Sequence, residues 1–290
     1  MRVRKLVHCC LAGLLLVICS GTVSAGILAG HNSETLPGND DGSTGLVALG
    51  FGANFFGTTY TDLYVNNNGN VTFGDPLSTF TPFGLSGATF VPIMAPFFAD
   101  VDTRLPAGLE VTYGTGTLGP NSASFGVNWI DVDYFVGSHP SQLNTFQLRL
   151  IDRSDIAAGD FDICFAYDQI TWETGDASGG VGGLGGESAR VGYSNGTGLA
   201  GTFFEQAGSG VNGAFLNGGP NALIDLPGMK LLFQVRNGIV QPPQAVPEPS
   251  TFALGGIGLI LSLATARRRR AISKQRFFLS AAACYCAAKE

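Results

Sequence analysis

Two pairs of aspartates have a spacing that could hold a metal ion. Asp100 and Asp102 are two residues apart, as are Asp131 and Asp133, so on a strand each pair places both carboxylates on one face. Calcium binds six to eight oxygen atoms, largely from such groups. These four residues are candidate calcium ligands, and apart from calcium the sequence predicts no cofactor. The competing interpretation is a solvated strand face without a bound cation.

A second group of acids surrounds one turn of the chain. Its four aspartates also allow two interpretations, which are calcium binding and capping of a turn by Asp side chains. Paired carboxylates also serve glycoside hydrolysis, so an exopolysaccharide-acting hydrolase that uses an Asp pair is an alternative function. No aromatic-lined catalytic signature supports it. The four acids are Asp152, Asp155, Asp160 and Asp162.

One serine lies in a pattern typical of a catalytic nucleophile. Residues 192–196 read Gly-Tyr-Ser-Asn-Gly and fit the G-x-S-x-G pattern of α/β-hydrolases, in which the catalytic histidine follows the serine. The three histidines, His8, His31 and His139, all precede Ser194. The Asn-Gly pair is better explained as a turn, and Ser194 is not predicted to be a nucleophile.

A glycine-rich stretch imitates a dinucleotide-binding motif. Residues 180–185 fit G-x-G-x-x-G, but that pattern binds phosphate only between a strand and a helix. Here it lies in a glycine-rich part of a chain that otherwise predicts strands. The sequence therefore predicts a protein that is not an enzyme.

The first 25 residues have the three-part layout of a secretory signal peptide. A positively charged start precedes an apolar run, and Val23 and Ala25 are the small residues that signal peptidase prefers. The apolar run is shorter than the ~20 residues of a spanning helix, which disfavours an N-terminal membrane anchor. Cleavage by signal peptidase is predicted between Ala25 and Gly26.

The other end of the chain combines three elements in a fixed order. A proline-rich motif is followed by an apolar stretch over residues 252–264 and then by four arginines. The prolines keep the motif extended, and the arginines stay cytoplasmic by the positive-inside rule. The predicted helix over residues 251–266 is about 24 Å long, which favours a temporary membrane hold. The motif consists of Val246, Pro247, Glu248, Pro249, Ser250 and Thr251, and the cytoplasmic stop consists of Arg267, Arg268, Arg269 and Arg270.

This arrangement resembles the PEP-CTERM sorting signal of Gram-negative bacteria. The resemblance implies that an exosortase processes the Pro-Glu-Pro segment. It also implies a transient stay in the inner membrane, followed by transfer to the cell surface or extracellular matrix. Residues 271–290 depart from the family, whose tails end soon after the arginines.

Charge and cysteine content restrict the partners and the covalent structure. Between residues 26 and 266 there are 6 basic and 21 acidic side chains. The resulting net charge of about −15 disfavours nucleic acid as a partner. Cys164 is the only cysteine in this range, so no internal disulfide is possible. Its flanking pattern predicts a small buried residue on a strand.

Periodicity indicates an all-β domain between the two ends. Asn68 and Gly69 predict a two-residue hairpin turn, and the alternation over residues 125–134 changes phase, which predicts a bulge near Trp129. Residues 146–150 and 161–167 alternate as half-buried strands do. No amphipathic helix is predicted between residues 26 and 246. The predicted fold is an antiparallel β-sandwich ectodomain, with an N-terminal signal peptide and a single C-terminal transmembrane sorting helix.

Three stretches of the predicted sandwich, residues 50–60, 65–73 and 92–104, resemble the nidogen-like (NIDO) extracellular domain. The resemblance covers most of residues 46–236, and its most specific part is residues 95–104. It implies a non-catalytic matrix and adhesion module, and it carries over no binding residues.

The chain is thus predicted to be an exported structural or adhesive module, with a calcium-dependent binding module as an alternative. Its expected partners are signal peptidase, an exosortase, the inner membrane before sorting, and an extracellular polysaccharide or surface polymer. The predicted organisation is a signal peptide (1–25), a loose lead-in (26–45), the nidogen-like β domain (46–238), a linker (239–246), the sorting signal (247–270) and an atypical tail (271–290).

Overall fold

The computed structural model describes residues 26–104, 106–118 and 122–241. These residues form sixteen strands, three short 3₁₀ turns and no α-helix. The 3₁₀ turns are Asp176–Ser178, Leu223–Asp225 and Pro227–Met229. The strands are β1 (Glu34–Leu36), β2 (Val47–Phe55), β3 (Thr58–Asn66), β4 (Asn70–Thr72), β5 (Ile93–Phe98), β6 (Val101–Asp102), β7 (Val111–Leu118), β8 (Ser122–Tyr134), β9 (Asn144–Asp152), β10 (Phe161–Gln169), β11 (Gly180–Val181), β12 (Leu184–Gly185), β13 (Arg190–Ser194), β14 (Phe203–Glu205), β15 (Lys230–Arg236) and β16 (Ile239–Val240).

The strands form two main sheets in which all pairs are antiparallel. The larger sheet has the order β1-β7-β8-β9-β10-β15-β16, with β6 paired to β8. The smaller sheet has the order β14-β13-β5-β4-β3-β2, and β11 with β12 forms a separate hairpin. The predicted antiparallel β-sandwich is confirmed.

One aromatic core joins the two sheets. The ring of Phe97 on β5 lies 5.2 Å from that of Phe146 on β9 and 5.7 Å from that of Trp172. Further along, Tyr193 on β13 lies 5.3 Å from Phe233 on β15. All five side chains are buried, and each large apolar side chain contributes about 1.5–3 kcal/mol when fully buried. The contacts between these rings hold the sheets face to face.

The predicted Asn-Gly hairpin is present, but its turn has three residues. Asn66 pairs with Asn70, which leaves Asn67, Asn68 and Gly69 in the turn. Of these three, only Gly69 has a positive φ, at 72°, as in hairpins whose last loop residue is left-handed. A Cβ on Gly69 would lie 1.8 Å from the carbonyl oxygen of Phe97. The prediction of a two-residue turn is therefore wrong.

The predicted bulge on β8 is confirmed. The register between β8 and β9 shifts between Trp129 and Val132. Asp131, inside the shift, has a φ of 49°, a left-handed conformation that Asp tolerates better than most residues. The bulge keeps both Trp129 and Val132 in the core and leaves Asp131 exposed.

The prediction of a loose lead-in is wrong, because residues 26–45 pack on the sandwich. Strand β1 pairs with β7. The Leu28 backbone both donates to and accepts from the Gln147 side chain. His31 is buried, and its Nε2 lies 2.9 Å from the Ser124 hydroxyl. Residues 26–45 show no hydrophobic alternation because these contacts are polar.

The alternation predicted that β9 and β10 are half-buried, but both strands are buried on both faces. Their polar residues Gln147, Arg149 and Asp162 are buried as well. The lead-in covers Gln147, and Arg149 donates to the Sγ atom of Cys164 at 3.2 Å. Cys164 is the small buried strand residue that was predicted.

The predicted linker begins inside the larger sheet. Ile239–Val240 forms β16 and pairs with β15, so these two residues belong to the domain. Among the described residues, the structure has no helix that is long and apolar enough to span a membrane. The predicted signal peptide, the sorting motif, the sorting helix, the four arginines and residues 271–290 lie outside the described residues.

Candidate functional site

Three aspartates from distant parts of the sequence meet at the corner between β5 and β6. Asp40 and Asp41 lie in the loop between β1 and β2, and Asp100 lies in the corner itself. One carboxylate oxygen from each residue lies within 4.8 Å of the other two. We call Asp40, Asp41 and Asp100 the acidic pocket.

The turn between β3 and β4 holds the pocket together. The Asn67 amide donates to the carbonyl oxygens of Asp40 and Val101, both at 2.5 Å. The Asn68 amide donates to Asp41 Oδ1 at 2.8 Å and accepts from the Val101 N–H at 2.9 Å. Both asparagines are buried. Their amides therefore fix the loop and the corner relative to each other.

Asp100 is the least solvated member of the pocket. Only 1% of the surface of Asp100 is exposed, and its Oδ2 has no hydrogen-bond partner among the described residues. Burial, together with the negative charges of Asp40, Asp41, Asp102 and Asp176, raises the pKa of Asp100 to about 7. The carboxylate charges in this arrangement repel one another, which disfavours full ionisation of all three groups at neutral pH.

Asp40 shows the same effect, partly offset by a neighbouring base. Burial and the charges of Asp102 and Asp41 raise the pKa of Asp40 to about 6 against the opposing effect of Arg104, whose Nη2 lies 3.0 Å from Asp40 Oδ2. The arginine therefore compensates part of the charge on Asp40.

Gly175 forms a wall of the pocket. A Cβ at this position would lie 2.4 Å from Asp100 Oδ2 and 2.7 Å from the carbonyl oxygen of Phe135. The backbone of Gly175 has φ −81°, which any residue adopts. The position therefore uses the missing side chain of glycine and not its conformational freedom.

The other predicted calcium ligands are not members of the pocket. Asp102 and Asp133 pair across β6 and β8, and each contacts a basic side chain. Arg104 donates to both oxygens of Asp102 at 2.9 and 2.7 Å, and His139 Nδ1 lies 2.8 Å from Asp133 Oδ1. Asp131 is exposed on the bulge. The structure thus brings Asp100 alone, of the four predicted ligands, into the acidic pocket.

The second group of acids is paired with arginines. We call Asp152, Asp155, Asp160 and Asp162 the acidic turn. Arg236 Nη2 lies 2.6 Å from one oxygen of Asp162, and Arg153 Nη1 lies 3.1 Å from the other. Arg153 also contacts Asp155 at 2.9 Å. The described arginines therefore compensate much of the charge of this turn.

Ser194 does not lie in a catalytic arrangement. It is fully buried, and its hydroxyl accepts from the Gly196 N–H at 3.1 Å, as expected for a residue in a turn. The two described histidines are engaged elsewhere, His31 with Ser124 and His139 with Asp133. The glycine motif forms the tight turn of the β11–β12 hairpin, in which residues 182 and 183 both have positive φ.

Asp40 and Asp41 were not among the predicted ligands. They lie within Asn39-Asp-Asp-Gly42, a run of turn-forming residues with two adjacent carboxylates. That run is the signal that could have identified them. Their partner Asp100 could not be assigned from spacing, because the pairing depends on the fold.

The fold and the pocket define a β-sandwich module with a candidate cation site. Residues 22–210 match the family model described as NIDO related, and residues 245–270 match the PEP-CTERM protein-sorting motif. The first match covers more than half of the chain, and the chain belongs to the NIDO-related family. Both predicted resemblances are confirmed.

The chain is also similar to alpha-tectorin from three vertebrates. The identity is 35% over 187 residues for Gallus gallus, 36% over 189 for Homo sapiens and 33% over 186 for Mus musculus. Each alignment covers 57% of this chain and 8% of the relative. No solved structure matches. Together with the sorting motif, these similarities support an exported extracellular module.

Proposed function

We propose that the protein is a non-catalytic structural or adhesive module, displayed at the cell surface or in the extracellular matrix after processing by an exosortase. The observation that carries the proposal is the order of the two family matches. A NIDO-related domain over residues 22–210 precedes a PEP-CTERM sorting motif over residues 245–270. The similarity to alpha-tectorin supports an extracellular structural role.

The proposed path begins with cleavage by signal peptidase between Ala25 and Gly26. The exported chain then pauses in the inner membrane, with Pro247 to Pro249 outside and residues 252–264 in the bilayer. Arginine costs about 2.5–3.5 kcal/mol at a mid-membrane position. Four consecutive arginines at residues 267–270 therefore hold the tail while the exosortase acts on the exposed motif.

The contacts of the candidate carboxylates favour a non-catalytic module over the hydrolase alternative. Glycoside hydrolysis needs two carboxyl groups about 5–9.5 Å apart that both reach the sugar. Asp102 and Asp133 are buried against Arg104 and His139, and such contacts hold the side chains away from a substrate.

An extracellular polysaccharide or surface polymer is the proposed partner after sorting. The strongly acidic exported part disfavours nucleic acid. Full-length protein should be retained by the producing organism's own exopolysaccharide and should leave that polymer undegraded. Release of shortened polymer would instead support the hydrolase alternative, and absence of retention with and without calcium would contradict this partner.

The sorting step is tested in a strain that contains an exosortase. A chain carrying Pro247→Ala, Glu248→Ala and Pro249→Ala should lose its signal peptide normally and accumulate, otherwise uncut, in the inner membrane. Mass spectrometry of the membrane and surface fractions measures both events. The matched control carries Pro242→Ala and Pro243→Ala, which change prolines outside the motif and should leave sorting intact.

A second variant separates the motif from the arginines. Replacing Arg267, Arg268, Arg269 and Arg270 by glutamine should let the tail pass through the membrane and release unprocessed protein. If the Pro-Glu-Pro variant is still shortened and still reaches the surface, the tail is an ordinary anchor and the proposed function is wrong.

A further inference from the structure

We propose that the acidic pocket is a calcium site that fastens residues 26–45 to the β-sandwich. The site combines Asp100, which the sequence suggested, with Asp40 and Asp41, which it did not. It does not depend on the sorting proposal. A variant that loses calcium binding should still be sorted, so the two proposals can fail separately.

The first support is a pair of buried oxygens without partners. Asp100 Oδ2 and Asp40 Oδ1 have no hydrogen-bond partner among the described residues. Buried polar atoms are otherwise almost always paired, and an unpaired carboxylate is among the costliest groups to bury. Asp100 and Asp40 are both members of the acidic pocket, in which one carboxylate oxygen of each residue lies within 4.8 Å of the others. A bound cation would supply the partner that each atom lacks.

The second support is the charge balance around the pocket. Asp100 lies near the negative charges of Asp40, Asp41, Asp102 and Asp176. Arg104 is the neighbouring base, and its ion pairs are with Asp40 and Asp102. Among the described residues, Arg104 therefore forms no ion pair with Asp100 or Asp41. A divalent ion would restore the balance.

The donor atoms favour calcium over zinc, because the three described donors are carboxylate oxygens, whereas zinc sites use mainly Cys and His. Calcium also accepts flexible arrangements of six to eight oxygens, whereas magnesium demands near-ideal octahedral geometry. Each of the three carboxylates offers one oxygen within 4.8 Å of the other two, so one cation can approach all three. Asp40 and Asp41 are only half-buried, which leaves access for the waters that complete the shell.

The position of the site gives it a structural role. Asp40 and Asp41 belong to the segment that carries β1 and covers the polar face of β9, whereas Asp100 belongs to the β5–β6 corner. A calcium ion between them would cross-link the segment to both sheets. It would act beside the Asn67 and Asn68 amides, which already join the same parts.

The test uses the full-length chain in detergent, depleted of metal with a chelator. Calorimetric titration with calcium chloride should show one ion per chain, with a Kd of roughly 10⁻⁴–10⁻³ M as in other extracellular modules. At 10 mM calcium the Tm should rise by about 3–10 °C. Magnesium chloride, and sodium chloride of equal ionic strength, should raise it by less than half as much.

Two pocket variants and one matched control complete the test. Asp100→Asn and Asp41→Asn should each weaken calcium binding at least tenfold. Asp155→Asn also removes one negative charge, from a side chain that is 62% exposed, and should bind calcium like the unmodified chain. If Asp100→Asn fails to fold, Asp41→Asn still decides the result. Equal Tm shifts with calcium and sodium, or unchanged calcium affinity in the pocket variants, would overturn the proposal.

Discussion

The acidic pocket and the acidic turn contain similar numbers of aspartates but differ in their countercharges. In the turn, Asp162 is held between Arg153 and Arg236. In the pocket, Arg104 contacts Asp40 but not Asp100. A cluster of acids therefore indicates a cation site only where the protein's own bases do not form ion pairs with it.

The two regions also differ in how the chain assembles them. The acidic turn is one short segment, residues 152–162, joined to a base from β15. The pocket combines the β1–β2 loop with the β5–β6 corner, and the buried amides of Asn67 and Asn68 hold them together. The repulsion among its carboxylates is therefore opposed by the neutral hydrogen bonds of the two asparagines and by one ion pair, between Arg104 and Asp40.

The largest expected effect comes from breaking the acidic turn. Asp162→Asn should lower the free energy of unfolding by about 2–3 kcal/mol, because two partly buried arginines lose their shared partner. Removing one member of a fully buried ion pair costs about 3–5 kcal/mol, and the partial exposure of both arginines reduces that figure. Urea denaturation measures the change. In calcium-free buffer, Asp100→Asn should lower the free energy of unfolding by less than Asp162→Asn does. The reverse order would contradict the conclusion that ion pairs stabilise the acidic turn more than the pocket.

A smaller effect is expected from filling the pocket. Gly175→Ala places a Cβ against Asp100 Oδ2 and the Phe135 carbonyl oxygen, and overpacking of this kind costs about 1–3 kcal/mol. The variant should also lose the stabilisation that calcium confers. Gly45→Ala is the control, since a Cβ there meets no atom within 4 Å. If the Gly175→Ala chain keeps its full response to calcium, the ion does not lie where we place it.

The smallest expected effect concerns the other attachment of residues 26–45. Burial lowers the pKa of His31 below 6.5, and the charge of Arg149 lowers it further. Neutral His31 is thus favoured in the folded state, and its contribution is complete above pH 6.5. That contribution is lost as the pH falls toward the lower folded value. Between pH 7 and pH 5 the Tm should fall more in the unmodified chain than in His31→Asn, and parallel curves would exclude this role.

Much of the fold was readable from local patterns. The phase change at Trp129 marked the bulge, and the alternation around Cys164 marked β10. The prediction that β10 is half-buried was wrong, because arginines cover its polar residues: Arg149 donates to Cys164 Sγ, and Arg153 and Arg236 donate to Asp162. The same prediction for β9 was wrong because residues 26–45, which carry no apolar pattern, cover Gln147 through polar bonds.

The candidate site was only partly readable. Asp100 was identified from its spacing to Asp102. The carboxylate of Asp102, however, already accepts hydrogen bonds from Arg104 and is not part of the pocket. The true neighbours, Asp40 and Asp41, approach through the asparagine turn. Which acids of a sandwich meet depends on loop packing between sheets, and no periodicity of a single strand encodes it.

The most direct measurement is anomalous diffraction near the calcium absorption edge, from crystals of the full-length chain grown with calcium. We predict one peak in contact with carboxylate oxygens of Asp40, Asp41 and Asp100, and no peak at the acidic turn. An empty pocket, or a peak at Asp152–Asp162 instead, would contradict this account. In it, the calcium site is defined by carboxylates that lack an ion-pair partner, and not by the number of carboxylates in a cluster.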